Sequence, residues 1–298
     1  MKADQARGRL LLERALRADP AYLPALYAYA TTKPTHDSRM QALNWLAALD
    51  ADNAEPYYLM AIEQHCHVAT DGKRPQPDDD LGAFTLSLEE WQPIFDLIEE
   101  GNRRPEFTWR VPSLPSPQDV RVTSGGNSWP QAAVTSFLPL GMELWGSPGD
   151  VQFDPHAVTG AIWRQLARQA VWASRLASKS GDSTRALSYL TVMMDLGYKS
   201  AGCKPERMGP LLMGKAIWDT GEDEAVRILG PGNNEAAVSK LEAEKGAWKS
   251  ACQQCGPLLE KTNVTVKQVR ISRSEYLTYN DYAIEEAGMK RILAGLKR

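Results

Sequence analysis

Two segments of the chain repeat each other at a fixed offset, and this limits its architecture more than any other feature. Ala48, Leu49, Asp52, Leu59 and Ala61 fall 33 positions after Ala15, Leu16, Asp19, Leu26 and Ala28. In each copy an apolar stripe at three- and four-residue spacing stops and a second one starts at once, which is the pattern of two short amphipathic helices. Asp19-Pro20 supplies the stop in the first copy: the residue before a proline avoids the α region, while the proline itself fits the start of the next helix. Helices joined this tightly must pack antiparallel. The pattern predicts four consecutive helices over residues 4–67, broken near Asp19-Pro20, Lys33-Pro34 and Asp52-Asn53, with Ala15 and Ala48 buried at close helix crossings. A fainter copy lies downstream, where Ala186, Leu187, Tyr189 and Leu190 repeat the order of Ala42, Leu43, Trp45 and Leu46.

A period of 33 to 34 residues with helix, tight turn and helix resembles the tetratricopeptide repeat. Gly8, Leu12, Ala15 and Pro20 stand at the small, aromatic, alanine and proline positions of that family's second helix, and Trp45 and Ala48 match in the next copy. Gln41 and Asn53 depart from the small residue and the proline, Leu26 and Leu59 replace the usual tryptophan, and Ala30 but not Glu63 keeps the small residue. The resemblance implies an all-α fold of TPR-like antiparallel hairpins, an α-solenoid, with residues 1–101 as the repeat region. The first helix then lacks a hairpin partner, so the chain is read either as starting with a capping half-repeat or as a truncated form.

Beyond the repeats, Ser87 with Glu90 three residues on makes a capping box ahead of a helix in "LSLEEWQPIFDLIEEGNRR". Residues 102–155 form a Pro/Gly-rich irregular segment, with turns at "SGGN" and "GSPGD" and a short strand at "DVRVT". Residues 156–298 read as a C-terminal helical region, with helices over 156–180, 183–196, 205–220, 222–229, 234–250 and 281–296. "LIEEGNRRPEFTWRVP" followed by "ALSYLTVMMDLGYKS" resembles a group of uncharacterised helix-rich bacterial proteins that often begin with a membrane anchor. As written, the chain is expected to be cytoplasmic; an envelope-exposed or membrane-anchored location follows if the N-terminus is truncated.

Charge and motif content bound the chemistry. A formal net charge of −3 over 298 residues offers no overall field for phosphate backbones, so nucleic acid is not expected as a partner. The longest weakly charged stretch is broken by Pro130, Pro139, Gly141 and Glu143, and no spanning segment is expected. "CQQC" at Cys252 and Cys255 has redox and zinc spacing but no second pair, and "HCH" at His65, Cys66 and His67 cannot converge, because consecutive helical residues splay by about 100°. No serine lies in a GxSxG elbow, and Glu89-Glu90, Glu99-Glu100 and Glu285-Glu286 read as solvated helix faces. No catalytic, metal or cofactor-binding residues are assigned, and no cofactor is expected.

Aromatic residues cluster in the repeats at Tyr22, Tyr27, Tyr29, Trp45, Tyr57 and Tyr58, where some fill the core and others line a concave face. The leading expectation is a non-enzymatic interaction scaffold presenting a helical-repeat groove to a protein or peptide partner, with Tyr27, Tyr57 and Tyr58 as contact residues. Two alternatives stand beside it. One is a metal-dependent or hydrolytic enzyme with a cleft between helical halves, which three or more of His65, His67, His156, Cys252 and Cys255 within ligand distance would favour. The other is a structural domain of a larger bacterial envelope protein.

Overall fold

A computed structural model describes residues 2–32, 35–70, 77–78, 83–84, 87–108, 155–202, 208–230, 234–261, 265–270, 276–281 and 286–296. The described residues are dominated by helices: α1 (Lys2–Ala18), α2 (Leu23–Thr32), α3 (His36–Leu49), α4 (Glu55–Thr70), α5 (Leu88–Arg103), α6 (Pro155–Lys179), α7 (Ser183–Gly202), α8 (Met208–Leu229), α9 (Glu235–Lys261) and α10 (Glu286–Ala294). The class is all-α. Two small antiparallel ladders accompany the helices, β1 (Pro77–Asp78) with β2 (Ala83–Phe84) and β3 (Thr265–Arg270) with β4 (Tyr276–Asp281), the latter in a register that pairs Thr265 with Asp281 and Arg270 with Tyr276.

Helices α1 to α5 pack each on the next, and the breaks between the first four come where local chemistry puts them. At Asp19 the backbone amide still bonds the Ala15 carbonyl, and the side chain then accepts from the Ala21 amide at 3.1 Å, closing an Asx turn ahead of α2. Thr35 caps α3 in a reciprocal box with Ser38, and Ser87 does the same for α5 with Glu90, as its spacing predicts. The Asp52-Asn53 break is also observed. The strand expected at "DVRVT" lies outside the described residues.

The 33-residue correspondence of the sequence is matched only in part by burial. Leu26 and Leu59, 33 apart, are both buried, whereas Leu16 is buried and Leu49 is 43% exposed. Ala48 is exposed and Ala15 half-buried, so the expectation of a close crossing at Ala48 is corrected: α3 turns Ala42, Leu43, Leu46 and Ala47 inward. One residue of offset rotates a helix face by about 100°, and a 34-residue offset brings Leu16 onto Asp50, both buried, and the half-buried Leu12 onto the buried Leu46. Ala47→Leu is therefore expected to overpack and cost about 1 to 3 kcal/mol, while Ala48→Leu stays within about 0.5 kcal/mol of wild type; thermal melts of the pair check this.

Helices α6 and α7 and Ile217 of α8 join the core of α1 to α5, while α9 and α10 pack in a separate apolar cluster with Trp218. Helices α6, α7 and α8 pack mutually, α5 lies on α6 and α7, α9 lies on α8, and α10 lies on α9. A single apolar cluster runs from Leu16 through Trp91, Phe95 and Trp163 to Tyr189 and Ile217, on both sides of the interval 102–155. Polar bonds join α5 to α7 as well: Asn102 donates to the Val192 carbonyl at 2.8 Å, and Arg185 donates to Gln92 at 2.9 Å. Helix α8 runs without interruption through Gly221, where the sequence suggested a break, because Gly221 lets Met194 of α7 approach. Helix α9 extends past Ser250 to include the whole of "CQQC".

Candidate functional site

Helix α5 has two working faces. Trp91, Ile94, Phe95, Ile98 and Gly101 point into the core, and Gly101 allows the Tyr58 ring so close that an added Cβ would fall 2.5 Å from its Cε1. On the other side Pro93, Asp96, Leu97, Glu100 and Arg103 recur at three- and four-residue spacing and, with Glu99, Met40 of α3 and Gln64 of α4, line an open groove of about 600 Å³. Its floor is apolar where Met40 and Leu97 are half-buried against the core. Its α5 wall is acidic. Arg103 bridges Glu99 at 3.0 Å and Glu100 at 2.9 Å, Arg104 pairs with Glu100 while lying 4.5 Å over the Tyr57 ring, and Asp96 accepts from the neutral Gln92 amide at 2.7 Å. Pro93 lacks the N–H that would bond the Glu89 carbonyl one turn earlier.

Beside the groove, the N-terminal end of α3 is clamped to α4 through Glu63, which is fully buried. Its Oε1 accepts from Arg39 at 2.7 Å and from His36 Nδ1 at 2.9 Å; a carboxylate cannot donate, so this fixes the proton on that nitrogen. The His36 and His67 rings stack 3.9 Å apart and 12° from parallel. This is the glutamate that departs from the small residue of the repeat family, and here it serves as the acceptor of an interhelix ion pair. Glu63 Oε2 and His65 Nδ1 are buried without a hydrogen-bond partner among the described residues.

None of the cysteines whose titration is displaced is activated. Burial, reinforced by the Glu63 charge and only partly offset by Arg39, pushes the Cys66 thiol up to about 12. Burial and the neighbouring Cys252 raise Cys255 to about 11, and its Sγ donates to the Ala251 carbonyl at 3.3 Å. Thiols held protonated in this way are poor nucleophiles and poor redox centres near neutral pH. Among the described residues no three His, Cys, Asp or Glu side chains are grouped to hold a metal ion, and His156 has no described side chain. Nor is any helix among the described residues long and apolar enough to cross a membrane.

His65 is nonetheless informative about stability. Burial holds its imidazole neutral, its pKa pushed down from 6.5 to about 4. In that window the unfolded chain binds the proton more readily than the folded one, so stability is lost as pH falls. Unfolding in urea is expected to show about 1 to 2 kcal/mol less stability from this site at pH 5 than at pH 6.5, and His65→Phe should remove that part of the slope.

The three tyrosines singled out as contact residues are not placed alike. Tyr27 and Tyr58 are 0% and 1% exposed, so they offer no surface to a partner, and their expected role is corrected. Their hydroxyls are instead satisfied inside the fold, Tyr27 donating to Asp50 at 3.0 Å and Tyr58 to Asn102 at 2.7 Å. Tyr57 is half-buried under Arg104. Of the groove residues only Glu99 and Glu100 were singled out in the sequence, as a solvated helix face, although the acidic stripe of α5 opposite its apolar one was visible there. Comparison of the chain with protein-family models, with curated proteins and with solved structures finds no match.

Proposed function

We propose that the chain is a non-enzymatic interaction scaffold of repeat-type helical hairpins, α2 with α3 and α4 with α5, whose groove over Met40, Gln64 and Leu97 receives a protein or peptide partner. The groove itself carries the reading: it is open, it joins three successive helices, and it combines an apolar floor with a charged wall. Helix-lined grooves of this composition suit a peptide, whose side chains supply apolar area while its ends stay in water.

Peptides selected from a random display library on the immobilised chain test this, with Gln64→Trp as the variant that fills the groove and circular dichroism as the check on fold. The expected result is a set of peptides whose affinity falls about tenfold or more on Gln64→Trp. Selected peptides that bind both proteins alike would place recognition elsewhere and contradict the proposal.

A further inference from the structure

We infer that the occupant of the groove is an amphipathic helix whose polar face is basic, an inference that rests on the scaffold reading above. Three carboxylates, Asp96, Glu99 and Glu100, line the groove against one guanidinium, that of Arg103. The balance within this set matters more than the count. Arg103 is 61% exposed on its side chain and already engaged by both Glu99 and Glu100, and Glu100 is further held by Arg104. Asp96 has a neutral amide from Gln92 as its hydrogen-bond partner. Among the described residues Arg103 and Arg104 balance Glu99 and Glu100, so the net negative charge of the wall is that of Asp96, beside the half-buried Leu97 and the exposed Pro93.

Shape follows from the same stripe. From Pro93 to Arg103 it rises about 15 Å along α5, the length of some ten helical residues. A helix laid there presents apolar residues at three- and four-residue spacing to Met40, Pro93 and Leu97. Lysine or arginine on its flank then meets Asp96 and Glu99. An acidic helix would bring like charge to the same wall, a mismatch that rejects it.

Three fluorescein-labelled peptides of about 14 residues, long enough to span the groove, share one leucine pattern and differ in the polar residue: lysine, glutamate or glutamine. Anisotropy titrations use the full chain, Gln64→Trp, Asp96→Lys/Glu99→Lys and the near-isosteric Asp96→Asn, with circular dichroism for each. The lysine peptide is expected to bind best, to lose affinity about tenfold on Asp96→Lys/Glu99→Lys and severalfold on Asp96→Asn, and to weaken as salt screens the wall. Glutamate-peptide binding should appear or rise on the charge reversal. Equal affinity for the lysine and glutamate peptides, or a lysine peptide indifferent to both Asp96 variants, overturns the inference. If the glutamate or glutamine peptide binds best and loses affinity on Gln64→Trp, the basic partner is refuted and the scaffold reading stands. If no peptide loses affinity on Gln64→Trp, both fail.

Discussion

Gly214→Leu is expected to abolish the native packing of α7 on α8, at a cost of at least about 3 kcal/mol. The two helices meet through their glycines. A Cβ at Gly214 would lie well inside van der Waals contact with the Gly197 carbonyl oxygen and 3.0 Å from the Ala201 amide nitrogen, and one at Gly197 would lie 2.7 Å from the Gly214 carbonyl. These neighbours are backbone, so no rotamer change relieves the clash. Trp218, 0% exposed one turn along α8, packs against Trp248 of α9, so separation of α7 and α8 would also disturb the apolar cluster that holds α9 and α10. Gly214→Ala should already lower the midpoint measurably. A Gly214→Leu protein with the wild-type melting curve would show that the crossing is not as close as described.

Asn53→Ala is expected to cost about 3 kcal/mol, because one side chain satisfies several buried groups at once. Asn53 is 1% exposed. Its Nδ2 donates to Asp50 at 2.8 Å and to the Thr108 carbonyl at 3.0 Å, and its Oδ1 accepts from the Thr108 amide at 2.9 Å and the Glu55 amide at 3.2 Å. With the backbone bridge in which Ala54 donates to Glu106 at 2.8 Å and Glu106 to Asp52 at 3.0 Å, this fastens residues 106–108 to the turn between α3 and α4. Alanine leaves two backbone donors and a buried carboxylate short of partners. Asn53→Pro, which installs the residue of the tetratricopeptide pattern, should be worse, since it also deletes the amide that bonds the Asp50 carbonyl at 2.9 Å. Faster hydrogen exchange at the Thr108 amide together with the lower midpoint checks the assignment; unchanged exchange there would refute it.

What the sequence made legible is mostly local. Asp19-Pro20 and the Ser87 to Glu90 box announce helix ends because they act within four residues, and the structure has those ends in place. Burial register was less legible. Ala47 and Ala48 differ by one position and by a third of a turn, and the choice between them depends on how α4 meets α3. Tyr27 and Tyr58 look equally suited to a surface, and they are interior because Asp50 and Asn102 wait there for their hydroxyls. Asn53 reads as a lapse from a family pattern until Thr108, 55 residues away, is brought beside it. Gly221 reads as a stop, though a glycine within a helix can serve a close neighbour instead. The β3 and β4 hairpin carried an alternating signal in "VTVKQVRIS" that was open to recognition.

The groove was the least legible feature, since its lining comes from α3, α4 and α5 and each residue taken singly looks like ordinary helix surface. Methyl NMR on protein labelled at the methionine ε-carbons tests most directly whether it is where a partner sits. Met40 lines the groove, whereas Met289 is buried in the α9 and α10 packing, so the chain carries both a reporter and a reference. On titration with peptides selected on the chain, the Met40 signal should move and saturate in step with binding while that of Met289 stays in place. Saturated binding with Met40 unmoved would contradict the account.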